Sequence, residues 1–149
     1  MTHYIYAHRR PLELAISLIG AFYGLGQYFE ITLGYGDPFY WLGLDVSDQA
    51  LLSLMIGFFS LVHIAGVSLN GEFKYSPFMR AFGIFGHATA TTFIALTTLG
   101  AASQTGHGIP SGFWLYTPFA ALLWYVGAQA AIDYFRIKKV RDERSKQIC

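Results

Sequence analysis

Charge is what this 149-residue chain has least of: charged side chains make up 13% of it and hydrophobic ones 54%. A soluble domain carries about 25% charged residues to keep its surface wet. The shortfall excludes an ordinary water-facing surface and implies one that faces lipid. The formal net charge of +1 gives no basic excess with which to hold a nucleic acid. The only cysteine, Cys149, closes the chain. It excludes an internal disulfide and a thiolate metal site, and it is too near the end to form a prenylation box. No His/Glu zinc spacing and no Ser-His-Asp arrangement is recognisable, so no catalytic activity of the chain's own is expected. An alternating apolar and polar pattern is missing as well, which disfavours a β-barrel.

Four long apolar runs are present instead, at about 11–33, 49–69, 79–101 and 114–135. Crossing ~30 Å of hydrocarbon at 1.5 Å per residue takes about 20 mostly apolar residues, so each run suffices. The first follows Arg9 and Arg10 and exceeds the usual 7–15-residue signal core. It is expected to remain as an anchor. Turn chemistry separates the runs at Gly34-Tyr35-Gly36-Asp37-Pro38, at Asn70-Gly71 and across Gly106 to Gly112. Breaks this short make successive helices antiparallel neighbours. The expectation is an all-α integral membrane protein, one membrane domain folded as a four-transmembrane-helix up-down bundle, with residues 136–149 as a basic tail continuing helix 4.

The ten lysines and arginines sort to one side of that arrangement. Arg9 and Arg10 precede the first span, Lys74 and Arg80 flank the second turn, and Arg136, Lys138, Lys139, Arg141, Arg144 and Lys146 follow the fourth. The other side holds Asp37, Asp45 and Asp48. Positive-inside sorting puts both termini in the cytoplasm, as in a bacterial or phage-infected-cell inner membrane. Tyr35, Phe39, Tyr40 and Trp41, with Phe113, Trp114 and Tyr116, suit the outer interfacial belt, and Tyr4, Tyr6 and His8 the inner one, in a segment too short to predict as a helix.

Lipid removes the hydrophobic incentive for helix association, leaving close packing by small residues and interhelical hydrogen bonds. Gly20 and Gly24 on helix 1, Gly57 on helix 2, and Gly83 and Ala90 on helix 3 are the expected packing positions. Among ionisable residues inside the runs, His63 and His87 draw attention first, because such groups are costly in hydrocarbon. Each lies 12 positions from Tyr75. Antiparallel helices would set the two at one depth, ~10 Å inside the inner boundary.

Three readings compete for this pair: axial ligation of haem b in an electron-transfer subunit, a polar path for protons or cations through Ser60, Thr91 and neighbouring hydroxyls, and hydrogen bonding that fixes helix register. Gln27 and Glu30, with the outer aspartates, could form an acidic vestibule. Alternatively Glu30 reaches for water, and Asp45 or Ser47 caps helix 2. Glu13 near Arg9 and Arg10, and Asp133 three before Arg136, suggest local charge pairing.

The chain resembles small phage holins in its few spans and charged C-terminal tail, a pattern shared by many accessory membrane subunits. The function expected is assembly in the bilayer, as an accessory subunit of a membrane complex or as a self-associating holin-like protein, with lipid and other membrane subunits or itself as partners. A haem-bearing subunit and an oligomeric small transporter or channel are the alternatives.

Overall fold

In the computed structural model, which describes residues 2–34, 44–69, 75–105 and 111–148, the chain forms four α-helices. They are α1 Thr2–Thr32, α2 Val46–Ser68, α3 Ser76–Thr105 and α4 Ser111–Ile148. Within them Pro11–Thr32, Val46–Ser68, Ser76–Gly100 and Phe113–Val140 are long and apolar enough to cross a membrane. The aromatic run Tyr35, Phe39, Tyr40 and Trp41, and Asp37, Lys74, His107 and Cys149, lie outside the described residues. The segment around Tyr4 to His8 is helical after all, because α1 begins at Thr2 and carries Pro11 in its interior.

Packing follows chain order, α1 on α2, α2 on α3 and α3 on α4. Glycine sets the closest approaches. A Cβ on Gly24 would lie 2.8 Å from the Ser53 carbonyl, and one on Gly83 would lie 2.5 Å from the His63 amide nitrogen. A Cβ on Gly66 would lie 2.6 Å from the Arg80 nitrogen. Bare backbones therefore touch where other residues would hold the helices apart. Ala90 packs with Leu52, Ile56 and Ile94 in one buried cluster, and Ile16 joins Ile84, Ala88, Leu123, Val126 and Ala130 in a second. The threonine hydroxyls of α3 are satisfied locally, Thr91 donating to the His87 carbonyl at 3.0 Å and Thr98 to the Ile94 carbonyl at 2.6 Å, whereas the buried Ser53 and Ser76 hydroxyls have no hydrogen-bond partner among the described residues.

Asp45 caps α2, its carboxylate accepting from the Asp48 amide at 2.9 Å and from the Ser47 hydroxyl at 2.7 Å. The Asp48 amide first, and the Ser47 hydroxyl second, hold this carboxyl below its ordinary value of 3.8. The capped state is thus complete above the ordinary carboxylate range and is lost as pH falls through the lowered value. Asp45→Ala is expected to speed hydrogen exchange at the first amides of α2 at neutral pH, and Asp45→Asn to preserve their protection. Exchange read by mass spectrometry checks this, and equal protection in the alanine variant would refute the cap.

Candidate functional site

Each helix sends one ionisable side chain into the same buried cluster: Glu13 from α1, His63 from α2, Arg80 from α3 and Asp133 from α4. Arg80 is its centre. The Arg80 Nη2 donates to both Glu13 oxygens at 2.8 and 2.9 Å, and its Nε donates to Oε2 at 3.2 Å. The same Nη2 lies 3.8 Å from the Asp133 carboxylate. Arg80 is 3% exposed and Glu13 4%, so water screens neither member of the pair. A planar guanidinium can hold carboxylates from two other helices at once, which a lysine ammonium cannot do with the same geometry.

His63 adjoins this pair. Its Nδ1 is hydrogen-bonded to the Ser17 hydroxyl, and its Nε2 sits 3.5 Å from Glu13 Oε2 with no hydrogen-bond partner. Ser17 lies one turn after Glu13 on α1, and its hydroxyl donates to the Glu13 carbonyl at 2.9 Å. That hydroxyl has a single hydrogen. While it goes to Glu13, the Ser17 oxygen accepts from His63 Nδ1–H, and a neutral ring turns a bare Nε2 toward a carboxylate. Adding a proton at Nε2 makes this contact attractive.

His87 belongs to a different layer. Its Nδ1 meets the Ser60 hydroxyl at 3.2 Å, its ring packs edge-on against Phe119, and Gly20 of α1 makes room for it. Equal depth for the two histidines is therefore not what forms. Gly83 lies against the His63 backbone and Ser60 against His87, so His87 stands about one turn, roughly 5 Å, farther from the α2–α3 connection. The close glycine contacts, and not the midpoint of the turn, fix the register.

A haem between these residues requires both imidazoles to face one gap. The cavity beside His87 has a volume of about 170 Å³ and is lined by His87 but not His63. Ligand pockets ordinarily run from about 300 to 1,000 Å³. His63 is turned toward Ser17 and Glu13 and fully buried. The residues present do not fit a haem held by this pair.

Of the other sequence candidates, Ser60 contacts His87, and Thr91 is tied to the His87 carbonyl. Glu30 accepts from Gln27 at 2.9 Å on the exposed C-terminal part of α1, away from the cluster. Glu13 and Asp133 both meet Arg80, which is buried inside the bundle, while the side chains of Arg9 and Arg10 lie outside the described ones. Glu13, Ser17, Arg80 and Asp133 are thus members of the site that sequence reasoning missed. Glu13, Arg80 and Asp133 all fell within predicted apolar runs, and that position was the available signal. Comparison with protein-family models, curated proteins and solved structures finds no match to this chain.

Proposed function

We propose that the protein is a proton-coupled membrane carrier subunit that binds a proton from the cytoplasmic side at the Glu13, His63, Arg80 and Asp133 cluster. The observation that carries this reading is the buried Nε2 of His63, without a hydrogen-bond partner among the described residues and 3.5 Å from the Glu13 carboxylate. Ionisable residues inside a membrane bundle mark ion or proton sites by default, and here four helices contribute one each.

Positive-inside sorting of the basic residues places the cluster's end of the bundle at the cytoplasmic face. Outward of the cluster, beside His87, lies a cavity with an almost wholly apolar wall, a poor host for a water path toward the opposite face. A carrier, with its site open to one side at a time, suits this better than a channel. Four helices enclose little room for cargo, so the carrier works in an assembly, with its own copies or with other membrane subunits. The assembly-only reading, accessory or holin-like, gives the cluster no task beyond clamping helices.

Infrared spectra of the protein in lipid nanodiscs, recorded as pH is stepped, separate these readings. The expected result is one titration in which carboxyl and imidazole bands change together. Glu13→Gln and His63→Gln abolish it, and His87→Gln leaves it in place. In vesicles holding a pH dye, proton entry under an imposed potential exceeds that of empty vesicles and is lost in Glu13→Gln. A wild-type titration indifferent to both substitutions makes the cluster a static clamp, and entry equal to that of empty vesicles removes the carrier.

A further inference from the structure

The cavity outward of His87 has its own chemistry. Its volume is about 170 Å³, and its wall is almost wholly apolar. The Tyr23 and Tyr116 hydroxyls bond each other at 2.5 Å, Thr91 donates to the His87 carbonyl, and His87 Nδ1 meets Ser60. An apolar cavity of about 150 Å³ stays dry and accepts a benzene-sized guest.

Four rings border the space: Tyr23, His87, Tyr116 and Phe119. His87 and Phe119 stand edge to face with centroids 5.8 Å apart, and Tyr23 and Tyr116 are tilted at 6.4 Å. Rings in such orientations offer both faces and edges to another aromatic ring, which prefers offset or T-shaped contact. A flexible acyl chain has only dispersion to gain there, without the ring quadrupole that uses this geometry.

Access is from the side. Helices α1 and α4 lack the close backbone approach of the three sequential pairs. Two of the lining residues, Ile19 on α1 and Leu115 on α4, are 60% and 67% exposed, toward the surroundings that lipid occupies. The Tyr23 and Tyr116 pair bridges the same two helices beside them.

We infer that this cavity binds a neutral single-ring aromatic molecule dissolved in the bilayer, admitted laterally between α1 and α4. The inference stands independently of proton binding at the inner cluster. Its test is photolabelling of the protein in lipid vesicles with a phenyl diazirine, mapped by mass spectrometry, with fluorobenzene as competitor. Labelling at Tyr116 and Phe119 is expected to fall several-fold as fluorobenzene is added. At Phe22 and Phe135, 77% and 65% exposed, it is expected to stay constant, because lipid contact does not saturate. Leu115→Trp, a change at the lipid-facing mouth, removes the saturable labelling while the background at Phe22 persists. Ile19→Trp does the same from the opposite wall. If Tyr116 and Phe119 label no more saturably than Phe22 and Phe135, the space is filled by acyl chains and the inference is overturned.

Discussion

Arg80→Met lowers the unfolding free energy of the bundle by about 3–5 kcal/mol, the cost of leaving a buried ion pair without one partner. The substitution keeps much of the side-chain length but strands Glu13, 4% exposed, and Asp133, 7% exposed, without their shared cation. Reversible unfolding in mixed detergent micelles measures the loss. The triple variant Glu13→Gln, Arg80→Met, Asp133→Asn is expected to recover most of it, because it removes the stranded charges along with the pair. Equal stability of wild type and the single variant would show that the carboxylates find other partners or take up protons, and would dissolve the cluster as a structural unit.

The glycines give the second large effect, with a sign that depends on position. In a helix, alanine outranks glycine by roughly 0.5–1 kcal/mol through backbone entropy alone. Gly26→Ala gains about that much, since its added methyl meets nothing within 4 Å. Gly83→Ala and Gly24→Ala instead drive the methyl into backbone of α2, where no flexible side chain can yield. Overpacking of this kind costs about 1–3 kcal/mol. The same unfolding assay therefore ranks Gly26→Ala above wild type and both others below it. A stabilised Gly83→Ala would mean that α2 and α3 stand farther apart than the glycine contacts require.

The sequence made the spans legible because hydrocarbon imposes a length and a composition that little else satisfies. The small-residue positions Gly24 and Gly83 were visible for a related reason, as few other residues let membrane helices touch. Register was not visible. Counting outward from Tyr75 treats the turn as symmetric, whereas the contacts of Gly66 and Gly83 displace α3 along α2 and separate the histidines by a turn. The cluster was hidden for another reason. Glu13 and Arg80 are 67 positions apart, and neighbour rules along one helix direct each acid to the nearest base, Arg9 or Arg10 for one and Arg136 for the other. Only the three-dimensional arrangement shows one guanidinium serving two helices. Of the ten residues lining the apolar cavity, Gly20, His87, Thr91 and Tyr116 stood out in the sequence, for other reasons; the remaining six are ordinary membrane-helix side chains, and the lining is drawn from all four helices.

One feature of the packing sets how the molecule comes undone. Because α1 and α4 lack the intimate backbone approach of the other neighbouring pairs, they are joined through side chains: Arg80 near one end, the tyrosine pair toward the other, and Ile16 against Leu123, Val126 and Ala130. Helices α2 and α3 then serve as the spine, with α1 and α4 as two covers hung from it. Loss of one of these side-chain links is expected to loosen the α1–α4 side of the bundle before the α2–α3 spine, whose backbones touch.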